Sequence, residues 1–292
     1  SSFWQSSSWA GTAAAGIEDF LVEEGGRLGE VYGYKTDGFY TADDFTFDAE
    51  KGTYALKAGV NDCSSLIGGK VYPGSIKLKA NEDGEYKKER LGNTVPTVSG
   101  GFGLNARWKG FDFTAFFNYS LGNKIVNATK LGSSFYSGSS KNWNINDHFT
   151  SANRYSWIDP STGTNLLSSA SIKANGEAWT INRLNEVNTG SSIWNPAAAT
   201  VMPLVDWAVE DGSFLRVNNI TIGYTLPKLF VSKLNIQNIR IYVTGYNLHC
   251  FTKYSGTDPE VDCCTSTPMT PGIDYAAYPK SRSFVGGINV TF

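Results

Sequence analysis

At 292 residues the chain is long enough for one large β domain or two ordinary ones, and 14% aromatic, 18% charged content and 31 glycines point to a β-rich, turn-rich chain rather than a helical one. A formal net charge of -2 and a pI near 5.8 give no reason to expect a nucleic-acid partner. No apolar run approaches the ~18 residues of a membrane helix, which does not speak against membrane strands, because alternation is lost when hydropathy is averaged.

Residues 1–26 show no clean period; Ala13-Ala14-Ala15 and the run from Ile17 to Val22 predict a short helix. The opening SSFWQSSSWAGTAAAG has neither a basic n-region nor an apolar h-region, so a processed start or a piece of a longer chain is expected. Leu28 to Tyr40 reads as a strand followed by a turn at Thr36-Asp37-Gly38. Thr41 to Leu91 is loop-like, with turns at Pro73-Gly74 and Asp83-Gly84. Asn81-Glu82-Asp83-Gly84 resembles a calcium loop but lacks the spaced oxygen ligands and the closing Glu, so a plain turn is expected.

Gly100 to Asn123 carries the sharpest pattern in the chain. Phe102, Leu104, Ala106 and Trp108 are even-numbered and apolar; after Lys109-Gly110, Phe111, Phe113, Ala115, Phe117 and Tyr119 are odd-numbered and apolar. Period-two alternation around a two-residue turn ending in Gly predicts a β-hairpin with Trp108 opposite Phe111, one face apolar and the other polar except for Phe116. Such a face suits either a soluble sheet buried against a second layer or a barrel wall turned toward lipid, and each arm of about ten residues has the length of a tilted bilayer-crossing strand.

Residues 123–209 form a long polar stretch holding Trp143, Trp157, Trp179, Trp194 and Trp207, and its Trp content argues against disorder. Alternation resumes at Ile220, Ile222, Tyr224 and Leu226, ends at Pro227, and returns at Ile239, Ile241 and Val243. Another loop holds Asp258, Pro259 and Glu260. The last strand runs from Ser281 to Phe292, with Phe284, Gly286, Ile288, Val290 and Phe292 on one face. In all, about six spanning strands are expected, fewer than the eight of the smallest bacterial barrels. Cys63, Cys250, Cys263 and Cys264 form no CxxC pair, and with only His148 and His249 available a zinc site is not expected. An oxidising compartment favours at least one disulfide among the four, with Cys63 to Cys263 or Cys264 preferred over the vicinal pair.

Five segments, GRLGEVYGYKTDGFY (Gly26–Tyr40), Leu91–Asn127, Asp211–Pro227, IRIYVTGYNLHCFTKYSGTDPEV (Ile239–Val261) and Gly272–Phe292, resemble, in order, the SusC/RagA family of TonB-dependent outer-membrane transporters of Bacteroidetes. The resemblance implies an all-β fold, an antiparallel transmembrane β-barrel in which this chain is the C-terminal portion of a 22-stranded plugged barrel with long extracellular loops. The plug, the TonB box and the signal peptide would precede Ser1. It further implies a Gram-negative outer-membrane location and import of a nutrient, a glycan before a peptide. Implied partners are a SusD-like surface lipoprotein, TonB through the missing N-terminal region, the outer-membrane assembly machinery, and membrane lipid. Lys79–Arg90, KANEDGEYKKER, departs from an Asp-rich segment common in the family.

No cofactor, metal or catalytic residue is expected, since no Ser/His/Asp spacing and no carboxylate pair stands out; the chain reads as a transporter piece, not an enzyme. Candidate ligand contacts are Trp143, Trp157, Trp179 and Trp194, whose rings would stack on sugar faces or pack within the loop or a partner interface, and Arg107. Arg107, Arg216 and Arg240 would line the lumen, guiding ligand or forming salt bridges. Phe284, Ile288, Val290 and Phe292 form the expected assembly signal, with Phe292 as the terminal aromatic. Lys109-Gly110 and 227–238 are expected on the periplasmic side, 123–209 and 251–278 outside. The alternative from another class is a soluble or surface carbohydrate-binding β-sheet module without transport.

Overall fold

A computed structural model describes residues 2–5, 19–136, 145–231, 236–260, 270–275 and 277–292. The chain divides into two compact units, residues 1–91 with 127–209 and residues 92–126 with 210–292. Among the described residues no helix is long and apolar enough to cross a membrane.

The first unit is built from short elements. They are β1 (Ser2–Gln5), β2 (Phe20–Glu23), β3 (Glu30–Gly33), β4 (Thr36–Phe39), β5 (Phe45–Asp48), β6 (Thr53–Leu56), α1 (Ser64–Ile67), β7 (Ile76–Leu78), β8 (Glu89–Asn93), α2 (Ala128–Gly132) and α3 (Ser169–Val187). They form a four-stranded sheet in the order β1-β2-β3-β8 and the pairs β4-β7 and β5-β6. Phe20, Tyr40, Phe45, Ile67, Ile76, Leu78, Leu131, Tyr155, Leu166, Ile172 and Leu184 are fully buried and make its core. Tyr40 reaches through this core to donate to the carbonyl of Asn61 at 2.5 Å and lies 3.4 Å from Cys63 Sγ. Burial pushes both the Tyr40 phenol and the Cys63 thiol above their ordinary pKa values. Ser168 caps α3 by accepting from the Ser171 amide, and at Gly176 the helix breaks, with φ 77° and ψ 175°. Beyond the break Thr180 Oγ1 donates to the Gly176 carbonyl, while Thr180 and Leu184 are buried.

Several expectations for this unit need correction. Phe20–Glu23 is a strand, not the end of a short helix; Ala13 to Ala15 lie outside the described residues. Thr36-Asp37-Gly38 lies inside β4, where Gly38 at φ 72° makes an irregularity in the pairing with β7. The loop-like stretch 41–91 contains paired strands, and the long polar stretch contains the 19-residue α3. Cys63 is a free thiol, so the preferred bridge from it does not form; Cys250 is free too, and Cys263 and Cys264 lie outside the described residues. The Asn81–Gly84 turn is as expected: Asn81 Oδ1 accepts from the amides of Asp83 and Glu85.

The second unit is one long antiparallel sheet with a small one beside it. Its elements are β9 (Val98–Trp108), β10 (Phe111–Leu121), β11 (Lys124–Asn127), β12 (Val209–Asp211), β13 (Phe214–Thr225), α4 (Lys228–Val231), β14 (Asn238–Thr252), β15 (Ile273–Asp274) and β16 (Ser283–Thr291). Five strands pair in the order β16-β14-β13-β10-β9, and β12-β11-β15 form the smaller sheet. Among the described residues the long strands number five rather than about six, because Leu28–Tyr40 supplies only the short strands of the first unit. Lys109 and Gly110 both take positive φ, 45° and 91°, the twist a two-residue hairpin demands, and Trp108 pairs with Phe111. The connections after β9 and β13 are short and those after β10 and β14 long, so all short connections lie at one end of the sheet and all long ones at the other.

The register sorts the side chains. Phe102, Leu104 and Trp108, Phe111 and Phe113, Ile220 and Ile222, Ile241 and Val243, and Phe284 and Ile288 share one face. Most of these are open, from 45% exposed at Phe102 to 69% at Phe284, and among the described residues no second layer covers them. The other face carries Asp112, Thr114, Asn118, Arg216, Thr221, Arg240 and Thr244. Phe116, the apolar exception on it, lies over Gly101, where a Cβ would come within 2.9 Å of its ring. A bulge interrupts β13: Asn218 is skipped between Phe116↔Asn219 and Phe117↔Val217, and β14 answers with an irregularity around Asn247, at φ 50°. Below the bulge the apolar side chains of β13 are even-numbered; above it Leu215 and Val217 take that face, leaving Phe214 and Arg216 on the polar one.

Candidate functional site

The polar face of the five-stranded sheet is the candidate site, and two ion-pair clusters organise it. Near the short connections, Arg240 on β14 donates to Asp112 on β10 through Nε at 2.9 Å and Nη2 at 2.5 Å, a bidentate pair spanning the strand between them. That strand offers Gly223 at the crossing point: a Cβ there would stand 2.6 Å from both Arg240 Nη2 and Asp112 Oδ1. Arg107 stands opposite Asp112 in the hairpin register and is exposed. Thr221 and Thr244 share a hydroxyl hydrogen bond at 2.8 Å midway up.

Near the long connections the second cluster is buried. Arg216 Nη2 donates to Asp258 Oδ1 at 2.5 Å, and its Nε lies 2.6 Å from Glu260 Oε2, close enough for an ion pair but not aligned as a hydrogen bond. Asp258 also accepts from the Glu260 amide at 2.9 Å, while Glu260 accepts from Lys280 Nζ at 2.7 Å and Asn118 Nδ2 at 3.1 Å. Two cations and two carboxylates thus neutralise one another, with Arg216 and Asp258 buried and Lys280 at the exposed edge. Beside them Ser99, Asn118, Ser120, Asn123, Phe214 and Glu260 line a polar recess of about 430 Å³. Arg216 and Arg240 are therefore salt-bridged, the second of the two roles their position allowed.

Trp157, Trp179 and Trp194 belong to the first unit, and the fold treats them differently. Trp194 is 4% exposed, donates to the Ser134 carbonyl at 3.2 Å and packs edge-on against Phe149 and Trp207, so it offers no face to a ligand. Trp157 is half-buried; its Nε1 donates to the Pro73 carbonyl at 2.6 Å and its ring lies 5.6 Å from Tyr72. Trp179, on α3, is 43% exposed. Trp143 lies outside the described residues. The sequence reading missed Tyr54 and Tyr72, half-buried beside Trp157, with Lys70 Nζ about 5 Å above each ring. Their separation along the chain hides that cluster from any local pattern. Phe284, Ile288, Val290 and Phe292 lie together on the open apolar face, or at its rim, as the alternation predicts.

No family model matches the chain. It is 30% identical over 277 residues, 93% of its length, to TonB-dependent receptor P3 of Formosa agariphila, covering 23% of that protein. It is 34% identical over 89 residues, 30% of the chain and 8% of the relative, to TonB-dependent receptor SusC of Bacteroides thetaiotaomicron. Its fold is similar over 100% of the chain to 24% of a chain in the structure of the RagAB peptide transporter, with a TM-score of 0.56 at 20% identity. The chain thus spans about a quarter of the length of the relatives it matches along most of its own. These relatives are receptors and transporters rather than enzymes, in keeping with the absence of any catalytic spacing in the sequence. The order of its segments, the antiparallel sheet and these likenesses agree: the chain belongs to the SusC/RagA family of TonB-dependent receptors.

Proposed function

We propose that this chain forms part of the wall and the folded outer loops of a 22-stranded, plugged outer-membrane barrel that imports a glycan or a peptide by TonB-dependent transport beneath a SusD-like lipoprotein. The observation that carries the reading is the uncovered apolar face. A soluble sheet buries such a face, and an open patch of this extent on a soluble monomer would be an aggregation hazard. In a bilayer the same face is satisfied by lipid, and the ion-paired face lines the lumen. Strand length agrees: 11 residues at ~3.3 Å per residue, tilted ~40°, rise ~28 Å, close to the thickness of a hydrocarbon core. Short connections then face the periplasm and long ones the exterior.

A nitroxide placed at Ile222→Cys in the full-length transporter, reconstituted in lipid, tests the orientation. High collision with oxygen and low collision with an aqueous nickel chelate are expected; the reverse would return the sheet to a soluble module. Single-cysteine labelling of intact cells should reach Lys51→Cys and not Lys109→Cys. For the cargo, cells lacking the full-length protein should lose uptake of one oligosaccharide class, and loss confined to peptides would assign peptide import. Phe284, Ile288, Val290 and Phe292 serve first as the stripe gripped by the assembly machinery and later as lipid contacts. Deleting Phe292 from the full-length protein should lower the amount assembled in the outer membrane. Normal yield in a strain without periplasmic proteases would reduce Phe292 to an interfacial anchor.

A further inference from the structure

The connection between β13 and β14 is unusual for a turn in water. Its described part is Leu226, Pro227, the single helical turn α4, Ile236 and Gln237, and where turn chemistry favours Gly, Asn, Asp or Ser the helical turn presents Leu229 and Phe230. They are 76% and 66% exposed, among the most open large apolar side chains of the chain. Phe230 N donates to the Pro227 carbonyl at 3.0 Å and Leu226 N to the Ile239 carbonyl at 2.9 Å, so the turn is tied to the strand ends. It abuts the neighbouring hairpin, since Thr225 N donates to the Gly110 carbonyl at 2.8 Å and the Phe111 ring lies 4.5 Å from Tyr224. Trp108, 68% exposed, stands at the same end with Lys109 Nζ 5.1 Å above its ring. Among the described residues, the charges at this rim are Lys109, Lys228 and Arg107, together with the Arg240–Asp112 pair, which cancels itself.

We infer that Leu229 and Phe230 form a foot that inserts into the headgroup–acyl boundary of the phospholipid leaflet on the short-connection side, with Lys228 and Lys109 at the level of the phosphates. This rests on the barrel reading above, which puts the short connections at the membrane rim. Bulky apolar side chains beside lysines are the composition that lies in a membrane interface: the apolar part enters the acyl boundary while the ammonium groups stay with the phosphates. Net positive charge at the rim complements a phosphate surface.

The test is the full-length transporter in nanodiscs of phosphatidylethanolamine and phosphatidylglycerol, with Cys250, Cys263 and Cys264 replaced by Ser and a nitroxide at Phe230→Cys. Leu229→Cys serves as the second position, Ile222→Cys as the lipid-facing reference and Lys51→Cys as the aqueous one. Oxygen concentrates in the acyl region and the aqueous nickel chelate is excluded from it, so the ratio of oxygen to nickel collision should be severalfold higher at 230 than at 51. A nickel-chelating headgroup lipid should relax the label at 230 more strongly than the label at 222, since 230 lies at headgroup depth. A ratio at both 229 and 230 equal to that at 51, with 222 still high, overturns the foot and leaves the barrel reading standing. Labels shielded from oxygen and nickel alike also overturn it, because protein rather than lipid then covers the turn. A label at 222 that behaves like the one at 51 removes the barrel reading and the foot together.

Discussion

Replacing Arg216 by Met should loosen the segment between β14 and β16. Arg216 is buried, and its guanidinium holds Asp258, also buried, at 2.5 Å. In the variant Glu260 keeps Lys280 and Asn118, but Asp258 is left with the Glu260 amide at 2.9 Å and a long contact to the Lys280 amide at 3.5 Å. Removing one partner of a buried ion pair costs ~3–5 kcal/mol, and the amide Asp258 retains places this case near the lower end, so ~3 kcal/mol, or about a hundredfold in a local opening equilibrium. Hydrogen exchange of the full-length protein reads that opening directly at the Glu260 amide. Lys280→Met is the matched control: Lys280 is about half exposed, its pair is worth at most ~1 kcal/mol, and exchange should rise less than about fivefold. Adding Asp258→Leu to Arg216→Met should recover part of the protection, because the stranded carboxylate is gone. If Arg216→Met and Lys280→Met raise exchange at Glu260 equally, burial is not what gives this pair its weight and the reasoning fails.

Gly223→Ala puts a methyl 2.6 Å from both ends of the Arg240–Asp112 pair and should cost ~1–3 kcal/mol, seen as a lower temperature for loss of the SDS-resistant folded band; an unchanged temperature would mean the pair moves aside freely. Trp194→Ala should cost ~3–5 kcal/mol and expose the first unit to proteolysis, whereas Trp179→Ala should stay within ~0.5 kcal/mol; reversed sensitivities would contradict the packing described above. The Arg183 guanidinium, with Ser161, holds the Asp159 carboxyl well below the usual carboxylate range. The unfolded chain therefore takes up this proton first, so the group's stabilisation is complete above about pH 4 and is lost as pH falls toward the lowered folded value. Proteolysis of residues 145–190 should accelerate below pH 4 in the wild type and respond less to acid in Asp159→Asn; identical acid profiles would refute the assignment.

What the sequence made legible was whatever repeats locally. The Lys109-Gly110 turn fixes the hairpin register by itself, and every residue from Phe102 to Tyr119 then falls on the expected face. Phe284 to Val290 alternate without interruption against β14 and were equally plain. The first unit was not legible, because its strands are three to five residues long, too short for alternation to show, and its core joins Tyr40 to Cys63 and Glu177 to Phe47 across long sequence separations. α3 hides its helical repeat behind Asn175 and the broken backbone at Gly176. Arg216 was visible as a lumenal arginine, but its partners Asp258 and Glu260 sit in a loop where no period points at a strand.

The extra residue at Asn218 makes β13 a strand with two independent reading frames. Below it odd and even mean the polar and the apolar face; above it they exchange meanings, and Asn247 lets β14 follow. The half that carries Ile220 and Ile222 is thereby released from the half that holds Arg216. Substitutions that retune the polar end need not keep step with the belt, and a single-residue insertion or deletion at the bulge would turn one half of the strand inside out while leaving the other untouched. In this joint the demands on the ion-paired end and on the open apolar belt come apart.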